Sequence, residues 1–296
     1  MNLSDLTEDL RQRVRPVWSR LFPRQVLLEL RDDGLRGQVM RGGRPLPVSL
    51  EAPLPALTCS RGRPLEKEPL GDLIGDLLVR DGLLDAVVMA ALPPGAVDWR
   101  VIVWPFRDMP EDAVDAVRQI DPPLHLPYPL QEATIDLHPL PGEPAQMLLV
   151  SAPTQLVDDW IDVFSMAGVH LDRLAPAQIC QLAPLSALLS RWEEDELVLL
   201  LDPGPEQCRL LMLRAGVPVF EHLLPAEPDG LLTELMRALA FYRRHDQRAR
   251  SLRLLVTAPL PEQERIEAAL GLAALLCPSG GYGSLVLQGL AMQEQR

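Results

Sequence analysis

Apolar segments separated by short polar turns recur twice along the chain with the same layout. In "VLLELRDDGLRGQVMRGGRPLPVSL", residues 26–50, one apolar run ends near an acid, and two further runs flank a Gly-Gly turn. The same succession recurs in "VLLLDPGPEQCRLLMLRAGVPVFEHLL", residues 198–224. Short apolar runs bounded by turn residues are typical of β-strands. Each stretch therefore predicts three strands joined by tight turns.

The two stretches also share a sequence pattern. Residues 41–46 and 214–219 both read Arg-x-Gly-x-Pro followed by Leu or Val. Extended backwards without a gap, this register aligns Glu29 with Asp202, so that each first strand ends near an acid. Glycine and proline are frequent in the hairpin turns of any α/β protein, and chance is the alternative explanation.

The elements that follow each stretch strengthen the correspondence. Helical and strand patterns predict the order β-β-β-α-β-α twice over, which is the pattern of a duplicated α/β domain with a mixed sheet in each half. The predicted elements are a helix at 70–80 and a strand at 86–92 in the first half, and a helix at 229–244, a strand at 252–256 and a helix at 262–270 in the second.

A smaller unit is predicted between the halves. Its elements follow the order β-α-β-β-α-β of the ferredoxin-like split motif, at 96–104, 110–120, 133–140, 147–152, 154–167 and 171–174, before a returning helix at 177–192. The predicted domain organisation is a leader at 1–24, a first half at 25–95, an inserted domain at 96–175, and the returning helix with the second half at 176–296.

Composition and charge narrow the classes of function. With 47% hydrophobic residues in 296, the chain can fill the cores of two domains. No apolar run approaches the roughly 20 residues of a membrane span, and residues 1–9 lack the apolar core of a signal peptide, so we expect a cytoplasmic protein. A net charge of -13 argues against nucleic acid as a partner.

Familiar catalytic and metal motifs are missing from the sequence. The four cysteines stand far apart, and the single lysine, Lys67, follows no glycine loop, which excludes a P-loop. Asp158, Asp159 and Asp162 lie on one predicted helix, and Asp158 and Asp162 share a face, so an enzyme built on helical carboxylates is an alternative; the pattern favours an ordinary solvated face. His125 and His138 lack a third ligand in view. We therefore predict no catalytic residue and no metal site.

Four further stretches carry a family resemblance. They are "IDPPLHLPYPLQEATIDLHPL" at 120–140, "LLVSAPTQLVDDWIDVFSMAGVHLDRLAPAQICQLAPL" at 148–185, "LTELMRALAFYRRH" at 232–245 and "SLVLQGLAM" at 284–292. Together they resemble the PilM proteins of type IV pilus assembly, which are actin-like proteins related to FtsA and to components of mannose-sensitive pilus and type II secretion systems. The resemblance covers about residues 25–292 as a diffuse pattern. It implies a duplicated actin-like (ribonuclease H-like) fold with the small insertion in the first half.

This resemblance implies two hairpins of the form Asp-x-Gly that would cradle the phosphates of ATP. Asp202, Gly204 and Glu206 match the second hairpin, but Pro203 and Pro205 remove amide donors. In the first hairpin the acid is Glu29, whereas Arg31 replaces the glycine and Asp32 and Asp33 follow it. The late strand ends in residues 257–261, Thr-Ala-Pro-Leu-Pro, where the family has a Gly-Gly pair. We expect vestigial phosphate hairpins, no bound cofactor and no enzyme activity; an active ATPase that binds ATP with Mg²⁺ is the alternative.

The resemblance further implies an adaptor at the inner face of the cytoplasmic membrane. Such an adaptor would bind the cytoplasmic tail of a PilN-like membrane protein near the insertion and the first half, and would join it to pilus motor ATPases. Trp104, Tyr128 and Pro129 are candidate neighbours of that groove, with a place in the core as the alternative. Residues 10–24, rich in arginine and aromatic side chains, predict a peripheral membrane contact, unless they are a flexible leader. The cytoplasmic domain of a type II secretion L-type protein is the other reading.

Overall fold

The computed structural model describes residues 24–106, 112–121, 123–140, 145–189, 196–246, 251–277 and 279–293. The segment predicted to touch a membrane, residues 10–24, lies outside these ranges except for Arg24, whose guanidinium pairs with Asp85. Among the described helices, none combines the length and apolar composition that a membrane crossing requires.

The chain forms fifteen described strands and seven described α-helices. The strands are β1 (Arg24–Leu30), β2 (Gly34–Arg41), β3 (Arg44–Pro53), β4 (Cys59–Ser60), β5 (Arg63–Pro64), β6 (Val87–Leu92), β7 (Asp98–Val103), β8 (Ala133–Leu140), β9 (Gln146–Pro153), β10 (His170–Pro176), β11 (Glu196–Pro203), β12 (Gln207–Arg214), β13 (Val217–Pro225), β14 (Ser251–Val256) and β15 (Ala274–Leu276). The helices are α1 (Lys67–Arg80), α2 (Ala113–Arg118), α3 (Thr154–Met166), α4 (Ala177–Leu189), α5 (Pro228–His245), α6 (Gln263–Leu270) and α7 (Leu285–Gln293).

The first sheet has the strand order β10-β6-β1-β2-β3. Its central strand β1 runs antiparallel to β2 and parallel to β6. Side chains alternate across a strand, so Val26 and Leu28 join the core beneath α1 and α3, whereas Leu27 joins a second core against α7. Burial on both faces explains why this segment of the sequence is continuously apolar.

The second sheet repeats the first. Its order is β13-β12-β11-β14-β15, with β11 antiparallel to β12 and parallel to β14. Glu29 pairs with Arg36 across β1 and β2, and Asp202 pairs with Arg209 across β11 and β12. The two acids therefore occupy equivalent positions, and the duplication predicted from the repeated pattern is confirmed.

The inserted unit differs from the predicted ferredoxin-like motif. Its sheet has three antiparallel strands in the order β7-β9-β8, and Ala116 and Val117 of α2 pack on it with Leu137 and Leu149. The predicted motif also included the helix at 154–167 and the strand at 171–174. In the structure, α3 packs on the first half, and β10 pairs with β6 in the first sheet. Only the first four elements of the motif form the insertion.

The packing of α3 against α1 explains this difference. The apolar stripe of α3, which includes Trp160, Val163 and Phe164, is fully buried. Two glycines of α1 face it: a Cβ at Gly71 would lie 3.1 Å from the carbonyl oxygen of Val163, and one at Gly75 would lie 3.1 Å from that of Ala167. The glycines let the helix backbones approach closely, and burial of the stripe fixes α3 to the first half.

Two helices form a layer between the sheets. The sequences of α4 and α7 are apolar on all sides, which is typical of helices buried on every face. Leu182 and Leu185 of α4 pack on the second sheet, and Val286 and Leu290 of α7 pack on the first. The molecule is therefore two similar halves that meet along α4 and α7.

Candidate functional site

The tips of two equivalent hairpins face each other across the boundary between the halves. In the first tip, between β1 and β2, the amide of Arg31 donates to the carbonyl oxygen of Gly34 over 2.9 Å. In the second tip, between β11 and β12, the amide of Gly204 donates to that of Gln207 over 2.9 Å. The matching turns show that Arg31 stands where the other half has Gly204.

The side chain of Arg31 fills the space between the two tips. Its Nη1 lies 3.7 Å from Glu29 Oε1 and 3.8 Å from Asp202 Oδ2, and its Nε lies 3.5 Å from Asp33 Oδ1. A Cβ added to Gly204 would lie 3.4 Å from Cζ of Arg31 and would overlap Nη2. The guanidinium therefore packs directly on the glycine of the opposite hairpin.

The acids around Arg31 differ in their burial and in their hydrogen bonds. Glu29 is only 4% exposed, and its Oε2 has no hydrogen-bond partner among the described residues. Burial, and then the charge of Asp202, raise the pKa of Glu29, while Arg31 opposes that rise. Asp202 accepts a hydrogen bond of 2.6 Å from the hydroxyl of Thr257, which follows β14. The pKa of Arg31 is raised, because the three neighbouring carboxylates outweigh its burial.

The second tip offers few donors to a phosphate. Pro203 and Pro205 have no amide hydrogen, and the amide of Gly204 is used inside the turn. Burial raises the pKa of Cys208 to about 12, so its thiol remains neutral near pH 7. A phosphate site needs converging free amides, and this tip has used or lost those of residues 203–205.

The four residues predicted for the phosphate hairpins separate into two groups. Glu29, Asp202 and Gly204 meet around Arg31, whereas Glu206 is exposed on its tip. Asp32, predicted to crowd the first turn, accepts a hydrogen bond of 2.6 Å from the amide of Gly62 in the β4–β5 turn. Sequence reasoning treated Arg31 only as the loss of a glycine. Two features of the sequence could have indicated that Arg31 contacts the second hairpin: it stands among acidic residues, and it aligns with Gly204 of the repeated half.

Replacing Glu29 by glutamine should stabilise the protein near neutral pH. A group whose folded pKa is raised stabilises the fold below its unfolded pKa, and this contribution is lost as the pH rises through the folded pKa. The ordinary pKa of a glutamate, which applies to the unfolded chain, is 4.5. We expect Glu29→Gln to have the larger free energy of unfolding near pH 7, with the gap closing towards pH 4.5. Urea unfolding across this range measures the gap; a less stable variant at neutral pH would show that the pairing with Arg31 outweighs burial.

A groove between the insertion, the edge of the first sheet and the central helices α4 and α7 is the second candidate site. It holds a cavity of about 220 Å³. Its walls include β8 and β10, each of which is the edge strand of its sheet. Desolvation raises the pKa of Asp136 on one wall, and the charges of His138 and Arg173 oppose this rise. The lining residues are Asp136, His138, Arg173, Ile179, Ala183, Met292 and Gln293.

The three residues proposed as neighbours of a tail-binding groove lie outside the lining of this cavity. Trp104 is buried in the core of the insertion and packs edge-on against Phe106 at 5.0 Å between ring centroids. The hydroxyl of Tyr128 donates to Ser151 Oγ over 2.8 Å. Neither lines the cavity, and nor does Pro129. The groove is instead lined by residues from four elements that only the tertiary structure brings together.

The structure also places the lysine, the carboxylates of α3 and the histidine that the sequence singled out. Lys67 pairs with Asp159 at 2.6 Å and with Asp162 at 2.8 Å, which ties the start of α1 to α3. Within the described ranges, no group of three potential ligands that could hold a metal is present. His138 lies in the wall of the groove.

Two mixed sheets of equivalent order, related by duplication and separated by two central helices, define an actin-like fold. The chain is similar to the structure of a "PilM-PilN type IV pilus biogenesis complex", with 22% identity and a TM-score of 0.68 over 92% of this chain and 98% of that one. It is also similar to the cytoplasmic domain of EpsL, an inner membrane component of the type II secretion system of Vibrio cholerae, with 12% identity, coverage of 92% and 94%, and a TM-score of 0.51.

A third similar structure is a protein of unknown function with an actin-like ATPase fold from Bacteroides thetaiotaomicron, at 8% identity, coverage of 93% and 98%, and a TM-score of 0.52. No protein-family model and no curated protein sequence match the chain. The likeness to PilM expected from the sequence is confirmed at the level of the fold.

Proposed function

We propose that the protein is an actin-like adaptor in the inner-membrane assembly complex of a type IV pilus. In this role it binds the cytoplasmic tail of a PilN-like membrane protein at the inner face of the membrane and connects it to pilus motor ATPases. The observation that carries the proposal is a likeness over 92% of the chain to a structure described as a PilM-PilN complex.

The groove between β8 and β10 supports binding of an extended tail. Both strands are sheet edges, and an edge strand offers unpaired backbone groups to an added peptide. The cavity between them can take an apolar side chain against Ile179 and Met292, while Asp136 and Arg173 offer charges of both signs at its wall. Main-chain pairing would supply affinity and the cavity would supply selectivity.

The arrangement at the hairpin tips supports adaptor function without ATP hydrolysis. Arg31 fills the space between the tips, and residues 203–205 have no free amide to offer. The hydroxyl of Thr257 is engaged by Asp202. A phosphate placed between the tips would have to displace the guanidinium.

Filling the cavity should weaken capture of the membrane partner. Ala183 lines the cavity, so Ala183→Trp would occupy it. We expect about tenfold less PilN-like protein to co-purify with this variant from co-expressing cells, equivalent to about 1.4 kcal/mol of binding free energy. The matched control is Ala240→Trp, at an exposed position of α5 in the second half. Equal capture by Ala183→Trp and the control would place the tail elsewhere.

Addition of Mg-ATP tests the nucleotide part of the proposal. Capture of the partner should be the same with and without Mg-ATP, and titration calorimetry should detect no binding of the nucleotide. Micromolar binding would favour the active actin-like ATPase instead.

The likeness to the EpsL cytoplasmic domain supports a second candidate, the cytoplasmic part of a type II secretion L-type protein. The identity of the co-purifying membrane protein discriminates between the two systems. A proposed contact of residues 10–24 with the membrane is tested by liposome co-sedimentation of chains that begin at residue 1 and at Arg24. Equal sedimentation would remove this contact from the proposal.

A further inference from the structure

We propose that Arg31 is an internal cation that keeps the two halves of the molecule closed against each other. It belongs to the first hairpin, and one of its ion-pair partners, Asp202, belongs to the second. This inference concerns the cleft between the hairpin tips and is independent of any partner bound in the groove between β8 and β10.

The charges at the tips require a cation between them. Glu29 and Asp202 come from opposite halves; burial raises the pKa of Glu29 most, and the charge of Asp202 raises it further. Like charges brought together in a partly buried place repel each other unless a positive group stands between them. Arg31 supplies that group, at 3.7 Å from Glu29 and 3.8 Å from Asp202. The fold thereby carries its own counter-ion.

The steric fit shows that the guanidinium has a defined place in the second hairpin. The side chain of Arg31 is only 16% exposed. A Cβ added to Gly204 would lie 3.4 Å from Cζ of Arg31, and it would overlap Nη2 of the same side chain. An exposed arginine in loose contact with an acid would not require a glycine at the position that it packs against. The glycine of one half is therefore complementary to the arginine that replaced its counterpart in the other half.

The central strands transmit this contact to both sheets. Arg31 follows directly on β1, and Asp202 is part of β11, which is the central strand of the second sheet. A link between these two points resists separation of the sheets at this side of the cleft. The cleft then stays closed without a nucleotide or a metal ion.

Hydrogen exchange at the two tips tests this inference. In Arg31→Met, which keeps much of the side-chain volume but removes the charge, peptides that span residues 31–34 and 203–207 should exchange about tenfold faster, because local opening sets the exchange rate. Arg80→Met is the matched control: Arg80 pairs with Asp81 at the end of α1, so its loss should leave the second tip unchanged. Unchanged exchange at residues 203–207 in Arg31→Met would overturn the proposal.

Gly204→Ala provides an independent variant that keeps every charge. Its Cβ would displace the guanidinium and would also lie 2.9 Å from the carbonyl oxygen of Gln207 in its own turn. The readout is therefore the first tip, where exchange should rise although the substitution lies in the second half. In the background of Arg31→Gly, the same substitution should add no further increase at the first tip. Equal increases in the two backgrounds would show that Gly204 acts only on its own turn, and would refute the link.

Discussion

Replacing Gly289 by alanine should destabilise the protein by about 3 kcal/mol or more, at or above the upper end of the usual range for overpacked cores. Gly289 lies in α7 where this helix crosses α4. An added Cβ would lie 2.9 Å from Cα of Cys180, 2.5 Å from its carbonyl carbon and closer still to its carbonyl oxygen. These are backbone atoms of a fully buried residue, so no side chain can rotate to make room. The two helices would have to separate, and with them the two sheets they join.

The direction of this effect identifies its cause. Alanine is about 1 kcal/mol better than glycine in a helix interior, so any loss of stability comes from the clash and not from helix propensity. Urea unfolding followed by circular dichroism measures the change in free energy of unfolding. Gly43→Ala is a suitable control, because a Cβ there meets nothing within 4 Å and only the positive φ of 72° opposes it. If Gly289→Ala lowers the free energy of unfolding no more than the control does, α4 and α7 do not cross as closely as described.

Replacing Trp160 by alanine should cost about 3 to 5 kcal/mol, the range for loss of a large aromatic side chain from a core. Trp160 is fully buried between α3 and the first half. Its Nε1 donates a hydrogen bond of 2.8 Å to the carbonyl oxygen of Gly62. Gly62 has a positive φ of 73°, and a Cβ there would lie 2.6 Å from Cα of Ala96. The indole therefore fixes a tightly packed turn as well as filling the core.

Trp160→Phe separates these two contributions. The phenylalanine keeps the six-membered ring but cannot donate the hydrogen bond, so the carbonyl oxygen of Gly62 loses its partner. We expect the free energy of unfolding to fall by about 1 to 2 kcal/mol. Because the amide of Gly62 also holds Asp32, Trp160→Ala should in addition speed hydrogen exchange at residues 31–34. A cost of less than about 1 kcal/mol for Trp160→Ala would contradict its place in the core.

Most elements and the duplication were predictable because their signals are local. The strands and hairpin turns of each half follow from the alternation of apolar runs with Gly and Pro turns, and the alignment of Glu29 with Asp202 agrees with the observed pairing. The strand β8 was predicted with its observed bounds, 133–140. The chain position of a helix or strand depends on neighbours within a few residues, and the sequence shows these directly.

The assignment of α3 and β10 to a ferredoxin-like insertion failed for a different reason. Their order along the chain fits that motif, but their partners are decided by packing. Gly71 and Gly75 on α1 open a surface for α3, and β10 finds the free edge of β6. Nothing within residues 154–176 shows that these partners lie about 80 residues earlier in the chain.

The sequence by itself determined the class of fold, the repeat, the altered hairpins and the loss of the glycine from the first hairpin. Each of these features depends on residues that are close together in the chain. Only the tertiary structure decided what replaces that glycine. It places the guanidinium of Arg31 on Gly204 and between Glu29 and Asp202, residues that are some 170 positions apart. It likewise assembles the groove from β8, β10, α4 and α7. Side-chain contacts between distant segments depend on how two sheets and two central helices pack, and that information is distributed over the whole core.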